Sequence, residues 1–224
     1  MKSVTLPQII AMGLPVVGYA LAWWTQPQRL ARRALLAAAT KRLYDLRDGD
    51  RVRVTGVVRR LRETVVSPVT GRRCVGFRFV VEERASSLGD WNVVAQQSTC
   101  VPFALVDEGI EATVEGPFLF GLDFDDRGDV WSNLPPGLFS VLELARVPLS
   151  GPLGGEKEFR FREAVLRPDD RIMALGGVSI EVDRAGRPED LRGQPLARKI
   201  RGTESEPVAL ADADEDSAPF AARG

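Results

Sequence analysis

The sequence predicts a mainly β domain, a compact barrel or sandwich-like fold, that follows an apolar N-terminal segment and a basic helix. Three observations predict it: short runs of alternating apolar residues, turn residues between those runs, and an internal repeat of one strand pattern. Short strands at close intervals are typical of barrels and sandwiches, whereas a parallel sheet needs crossover helices. The 224 residues, 44% of them hydrophobic, are enough to form a hydrophobic core.

The apolar segment spans residues 6–24 and has Gln8 as its one strongly polar side chain. As a helix it would be about 28 Å long, against about 30 Å for the hydrocarbon core of a bilayer. Trp23 and Trp24 suit a membrane interface. We therefore expect residues 1–26 to form a single-pass membrane anchor. The alternatives are a cleaved signal peptide and a buried or interfacial helix of a soluble protein.

The following stretch, residues 27–47, has apolar residues at helical spacing and predicts a basic amphipathic helix. Its basic side chains are candidates for contact with anionic lipid headgroups: Arg29, Arg32, Arg33, Lys41 and Arg42. The alternative is a solvated helix that packs on the next domain. The basic excess after the apolar segment places the rest of the chain in the cytoplasm by the positive-inside rule, with a periplasmic location as the alternative.

The β domain is expected to span residues 48–201. Its strand-like runs are residues 51–58, 74–81, 101–106, 110–115, 159–161 and 172–182. Residues 107–109 form a hairpin turn, and residues 138–147 have helical spacing. The last segment, residues 202–224, is rich in acidic residues and predicts a flexible tail in which only residues 208–210 are apolar enough to pack.

One pattern occurs twice. Residues 46–58 read LRDGDRVRVTGVV, and residues 166–178 read LRPDDRIMALGGV. If these are two copies of one strand unit, Gly56 and Gly176 should lie at bends or bulges. The apolar residues of both strands should then face a shared interior, namely Val52, Val54, Ile172 and Ala174. The alternative is convergence on a common turn-then-strand pattern.

Composition excludes several classes of function. The chain has no His, which excludes a Ser-His-Asp triad and a His-liganded zinc, and two cysteines are too few for a thiolate zinc site. The formal charge of −1 argues against a general nucleic-acid binder. We therefore expect no metal, no cofactor and no nucleic-acid partner. Cys74 and Cys100 are expected to be small core residues in a reducing compartment, or a disulfide in an oxidising one.

A further set of motifs carries a family resemblance. Ser67-Pro68-x-x-Gly71 predicts a turn, Cys74 opens a strand, Trp91 follows, and residues 102–109 read PFALVDEG. In this order and spacing the motifs resemble the GIDE domain, also called BAM for "beside a membrane". Residues 159–178 are similar to its closing strand pair, with Glu163 at the family's glutamate. The resemblance covers roughly residues 30–180.

The resemblance implies a β domain that is held next to a bilayer and binds partners. In Mulan-type ubiquitin ligases of this family, catalysis belongs to a separate zinc-binding RING domain, which two cysteines and no His cannot form. The expectation is a non-catalytic, membrane-anchored binding or scaffold module whose partners are membrane lipid and a protein. The alternatives are an enzyme that uses carboxylates or Cys74 without His, and a sensor of small ligands or lipid headgroups.

The resemblance also implies a set of candidate partner-facing residues: Ser67, Pro68, Cys74, Trp91, Asp107 and Glu163. Each has a structural alternative. The serine, proline and aspartate are typical of turns, the cysteine and tryptophan of a core, and the glutamate of a buried hydrogen bond.

Overall fold

The computed structural model describes residues 27–84, 91–123, 126–131, 136–150, 157–182 and 196–213. Within these residues the chain forms two α-helices, one short 3-10 helix and thirteen strands. The helices are α1 (Pro27–Ala37) and α2 (Pro136–Leu144), and the 3-10 helix is Leu43–Asp45. The strands are β1 (Arg51–Arg60), β2 (Val65–Val66), β3 (Arg73–Cys74), β4 (Gly76–Arg84), β5 (Trp91–Cys100), β6 (Phe103–Asp107), β7 (Ile110–Glu115), β8 (Phe118–Phe120), β9 (Asp126–Trp131), β10 (Phe159–Leu166), β11 (Arg171–Val182), β12 (Leu196–Arg201) and β13 (Val208–Asp212).

Five strands close into a barrel. They pair in the order β1, β6, β7, β12 and β11, and β11 pairs again with β1. β7 and β12 run parallel, and the other four pairs are antiparallel. This connectivity is that of a five-stranded Greek-key barrel of the OB type. The predicted mainly β class is confirmed, and of the two predicted architectures the barrel is the one that forms.

The barrel interior is filled by the alternating side chains of its strands. Along β1, every second residue from Val52 to Val58 is buried, which is the pattern expected of a strand with one face in the core. Ile172 and Ala174 of β11 belong to the same core cluster as Val52 and Val54. The prediction of a shared interior for the two repeated strands is confirmed.

The hairpin between β6 and β7 has the turn that its sequence predicts. Asp107 pairs with Ile110, so Glu108 and Gly109 are the two loop residues. Both have positive φ angles, 49° and 82°. A two-residue loop with positive φ at both positions matches the twist of the strands, and glycine adopts that conformation at least cost.

A second lobe consists of the sheet β5-β4-β10-β9 with α2 against one face. Phe77 and Phe79 of β4 and Phe161 of β10 pack there with Leu138 and Leu142 of α2. Residues 138–147 were predicted to be helical; α2 confirms a helix here, but it spans Pro136–Leu144 and ends before the predicted boundary. The opposite face of the same sheet supplies Ala164 and Leu166 to the barrel core, which joins the two lobes.

The helix predicted over residues 27–47 ends at Ala37. Beyond it the chain becomes extended, and Thr40 forms a bridge with Arg53 of β1. The Arg53 guanidinium donates to Leu35 O at 3.1 Å and to Thr40 Oγ1 at 3.0 Å, so it satisfies a carbonyl at the helix end. Pairing with β1 therefore overrides the helical spacing of residues 38–47.

The acidic segment that starts at residue 202 contains a core strand. β13 pairs with β11 and places Val208, Ala209, Leu210 and Ala211 in the interior. The acidic residues lie on either side of this short apolar run, so the average composition of residues 202–224 conceals it. The packed domain extends beyond the predicted boundary at residue 201.

Strand β5 has no counterpart among the predicted strands. Its sequence, WNVVAQQSTC, mixes polar and apolar residues without regular alternation, and it is an edge strand that pairs with β4 alone within the described sheet. Such a strand is specified by pairing with the preceding strand, β4, rather than by its own alternation.

In the described part of the chain, no helix has both the length and the apolar character needed to cross a membrane. The predicted membrane segment, residues 6–24, lies outside the described residues.

Candidate functional site

The structure brings together four of the six residues that the family resemblance points to. Ser67 and Pro68 form the turn between β2 and β3, Cys74 ends β3, and Glu163 reaches this turn from β10. Trp91 and Asp107 lie elsewhere, at the start of β5 and the end of β6. The predicted set is therefore one cluster and two separate residues.

The turn is built around the Ser67 hydroxyl. Its Oγ donates a hydrogen bond to Glu163 Oε1 and accepts one from each of the Val69 and Thr70 backbone N–H groups, at 3.2 and 3.3 Å. The backbone closes the turn, since Gly71 N donates to Ser67 O at 3.0 Å. Gly71 has a φ of +67°, a conformation that favours glycine.

Ser67 and Glu163 are both only 1% exposed. Glu163 Oε2 is buried and accepts no hydrogen bond from any residue that the structure describes. A partner that docks on this conformation would touch neither side chain. On the outer surface of the turn, Val66 and Arg72 are exposed and Pro68 is partly exposed.

The two cysteines are free thiols. Burial raises the pKa of Cys74 to about 11, with a further contribution from the charge of Glu163, and burial also raises the pKa of Cys100. Cys74 Sγ donates a weak hydrogen bond to Val65 O at 3.7 Å. At neutral pH both sulfurs are protonated, so they lack the thiolate that a nucleophile or a metal ligand requires.

Trp91 and Asp107 have different surroundings. The guanidinium of Arg160 lies 4.6 Å from the centroid of the Trp91 ring. Arg160 Nε donates a hydrogen bond to Glu82 Oε2 at 2.5 Å. Asp107 lines a shallow cavity of about 370 Å³ together with Arg59 and Arg171. Both residues are partly exposed, so both are accessible to a partner.

The candidate headgroup-binding residues make contacts with the β domain. Three form ion pairs with its carboxylates: Arg32 with Asp123 at 2.5 Å, Lys41 with Asp50 at 2.7 Å, and Arg42 with Glu108 at 3.4 Å. Arg29 and Arg33 also lie on α1 and also make contacts. These contacts favour the alternative in which the helix packs on the domain; contact with lipid headgroups stays a prediction.

A cavity that the sequence does not predict lies between the second lobe and β8. It has a volume of about 260 Å³ and is lined by Arg78, Gln96, Gln97, Ser98 and the three residues of β8. Arg78 is 8% exposed. Burial and the charge of Arg162 both lower the pKa of its guanidinium. The signal in the sequence was an arginine inside the apolar run GFRFVV.

Comparisons with known proteins give no family. No protein-family model matches the chain, and no curated protein matches it. The resemblance to the GIDE domain rests on the sequence motifs alone and stays a prediction. Among the residues described here, no group of three or more Cys, Asp or Glu side chains is placed to hold a metal ion.

Proposed function

We propose that this chain is a non-catalytic binding or scaffold module, similar to a GIDE domain, that is anchored to a membrane by residues 6–24. Its partner on this proposal is an extended segment of another protein, which adds to the sheet along β5. The observation that carries the proposal is the position of β5 at the edge of its sheet.

β5 is ten residues long and pairs with β4 on one side only, within the described sheet. An edge strand presents backbone N–H and C=O groups that a further strand can pair with, and such pairing is a common mode of peptide recognition. Five of its side chains are exposed, namely Asn92, Val93, Gln96, Gln97 and Ser98, and no described strand pairs with its second edge. An extended peptide is therefore the partner that fits best.

Support for a position next to a bilayer comes from α1. Ala31 and Leu35 are fully buried against β11 and β13, and Arg32 donates to Gly121 O at 3.1 Å. The helix is thus fixed to the domain and begins three residues after the apolar segment ends. An anchor at residues 6–24 would hold the barrel close to the membrane surface rather than on a long flexible tether.

The enzyme alternative has less support. The cluster of Ser67, Cys74 and Glu163 is buried, and the raised pKa of Cys74 disfavours its thiolate. A nucleophile needs both access to substrate and an activated form.

The test is proximity labelling with the intact chain, comparing wild type with the double variant Asn92→Lys/Val93→Lys. Lysine side chains on an exposed edge oppose strand addition. A charge-matched control, Thr203→Lys/Ser205→Lys, adds the same charge to an exposed loop. We expect a small set of proteins that wild type and the control enrich and that the β5 variant loses by roughly tenfold.

Equal enrichment by all three chains would contradict the role of β5. Enrichment of the chain itself, with a dimer by light scattering that the β5 variant loses, would replace the protein partner by a second copy. In each case circular dichroism must show that the variants are folded.

A further inference from the structure

A basic surface lies on the connection between the barrel and the second lobe, residues 60–73. This connection leaves the end of β1, forms the hairpin of β2 and β3, and leads into β4. It holds four arginines and one glutamate, so its formal charge is +3 in a chain whose net charge is −1. We call residues 60–73 the basic hairpin.

The charges of the basic hairpin face solvent. All of its arginines are exposed, namely Arg60, Arg62, Arg72 and Arg73. Within the part of the chain that the structure describes, none of the four forms an ion pair. Arg32 and Arg42, by contrast, pair with carboxylates of the β domain. The hairpin arginines are therefore available to an anionic partner without breaking a contact in the domain.

Apolar side chains lie among these charges. Val66 is 57% exposed and lies opposite Arg73 in the pairing of β2 with β3. Leu61 is 39% exposed and lines an open cavity of about 460 Å³ together with Arg62 and Pro102. Cationic side chains combined with exposed aliphatic ones suit the interface of an anionic bilayer, where the charges meet headgroups and the apolar groups meet the acyl boundary.

The turn of the hairpin holds this surface in one conformation. Ser67 Oγ donates to the buried Glu163 of β10 and accepts hydrogen bonds from two backbone N–H groups. Ser67 N also donates to Arg72 O at 3.0 Å. Because the hairpin is tied to β10 in this way, contact of the hairpin with a surface would fix the orientation of the second lobe and of its edge strand β5.

We infer that the basic hairpin lies on the surface of an anionic bilayer and orients the β domain there. This inference rests on the proposed function, since an anchor at residues 6–24 keeps the hairpin near that surface. A tethered group meets its target at a high effective concentration, so a contact that is weak by itself becomes populated. An acidic protein segment would also match the arginines, but the exposed Val66 among them favours a partner with an apolar layer beneath its charges.

The test places an environment-sensitive fluorophore on the hairpin of the full-length chain. Val66→Cys is labelled with NBD, and mass spectrometry locates the label. The chain is incorporated into nanodiscs of phosphatidylcholine alone, or of an equal mixture of phosphatidylcholine and phosphatidylglycerol. We expect stronger, blue-shifted emission only in the discs that contain phosphatidylglycerol. High salt should reverse the change, because salt screens exposed charges.

Arginine variants of the labelled chain test the role of charge. Arg60→Gln/Arg62→Gln removes two charges from the hairpin and should lower the equilibrium constant for contact, obtained from the emission, by roughly tenfold or more. Arg72→Gln/Arg73→Gln is an independent second pair with the same expected effect. Arg51→Gln/Arg146→Gln removes two exposed arginines elsewhere and should respond as the labelled parent does.

Equal emission in the two kinds of disc, or an unaltered response of both hairpin variants, would overturn the inference. The same emission change on adding polyglutamate to phosphatidylcholine discs would replace the bilayer by an acidic polypeptide. Size-exclusion chromatography tests the anchor separately. A chain that co-elutes only with the anionic discs would lack the anchor yet bind the bilayer through the hairpin, and a chain that co-elutes with neither disc would exclude both.

Discussion

Val54 of β1 lies directly opposite Ala174 of β11, and this pair is the centre of a local two-fold relationship. The two residues are also equivalent in the internal repeat, because each is the ninth residue of its copy, in residues 46–58 and 166–178. Two equivalent strands that pair antiparallel with equivalent residues opposite each other are related by a two-fold axis through that pair. The repeat is therefore present in the structure as well as in the sequence.

The turns that precede the two strands have the same hydrogen bonds. The Arg47 backbone N–H donates to Asp50 Oδ2 at 2.9 Å, and the Arg167 backbone N–H donates to Asp170 Oδ2 at 2.6 Å. Asp50 N in turn donates to Arg47 O, and Asp170 N to Arg167 O. The charged residues shared by the two copies thus close equivalent turns. The strands that follow these turns, β1 and β11, pair with each other.

The two repeated glycines lie where a side chain would clash, as predicted, although the predicted bulge is absent from this pair of strands. Gly56 pairs with Ile172 and Gly176 with Val52, and the register is continuous through both pairs, so the predicted bulge is absent from this pair of strands. A Cβ on Gly56 would lie 2.8 Å from Val106 O, and one on Gly176 would lie 2.7 Å from Ile200 Cγ2. Close approach of the neighbouring strand requires the glycines.

We therefore predict that Gly56→Ala and Gly176→Ala each lower the free energy of unfolding by about 1–3 kcal/mol, because the neighbouring strand must move. Urea denaturation of the full-length chain measures this. Gly177→Ala is the matched control, since its Cβ would lie 3.6 Å from Arg201 O, an ordinary contact. If all three variants have the same free energy of unfolding, the fold does not depend on close packing at the repeated glycines.

Cysteine reactivity tests the thiol environments. Burial raises the pKa of Cys74 from its ordinary value of about 9 to about 11, so at pH 8 the thiolate is about 100-fold scarcer than in an ordinary thiol, before steric protection is counted. We expect both cysteines to resist iodoacetamide in the folded chain and to react in urea, as mass spectrometry of the alkylated protein would show. Rapid labelling of Cys74 at pH 8 in the folded state would contradict this.

The raised pKa of Cys74 also makes the stability of the folded state depend on pH. The folded state keeps Cys74 protonated where the unfolded state ionises, so its contribution to stability is complete below about pH 9 and is lost as the pH rises towards 11. Denaturation midpoints measured at pH 8 and pH 10.5 should differ more for wild type than for Cys74→Ala. If the midpoint changes equally in wild type and in Cys74→Ala, groups other than Cys74 cause the loss of stability at high pH.

The buried contact between Ser67 and Glu163 should be important for stability. Ser67→Ala removes the donor to Glu163 and the acceptor for two backbone N–H groups, so we expect a cost of about 1–3 kcal/mol. Ser67→Thr keeps the hydroxyl and should cost less. Chemical denaturation compares the two, and an alanine variant as stable as wild type would show that the turn does not depend on this hydrogen bond.

The end of α1 depends on Arg53. Arg53→Ala removes the hydrogen bonds to Leu35 O and Thr40, and should increase amide hydrogen exchange in residues 35–41. Arg51→Ala is the control, because Arg51 forms an exposed ion pair with Glu206 that does not involve α1. Similar exchange in both variants would mean that packing of Ala31 and Leu35 holds the helix without this cap.

Membrane attachment remains a prediction from residues 6–24. The full-length chain should sediment with membranes and resist carbonate extraction, because about 19 apolar residues suffice to span the hydrocarbon core. A chain that begins near Pro27 should be released by salt or remain soluble. Recovery of the full-length chain in the soluble fraction would exclude the anchor.

The candidate site was predicted in part. Turn chemistry made Ser67 and Gly71 predictable, since each acts within a few residues of its own position. The hydrogen bond from Ser67 to Glu163 joins residues 96 positions apart, and only the register of β10 on β4 brings the glutamate to the turn. The cavity beside Arg78 was not predicted, because it forms only where β8 lies against the pair of β4 and β5.

Local rules decided which segments became strands and where tight turns formed. The alternation from Val52 to Val58 fixes one face of β1, and the requirement for positive φ fixes the turn at Gly109. Tertiary structure decided the rest. β5 lacks regular alternation yet forms a strand on β4, the segment after Ala37 leaves the helix and pairs with β1, and β13 packs in the core through its pairing with β11. In these three places pairing with another segment of the chain stabilises the structure, so the pattern of the segment alone does not determine it.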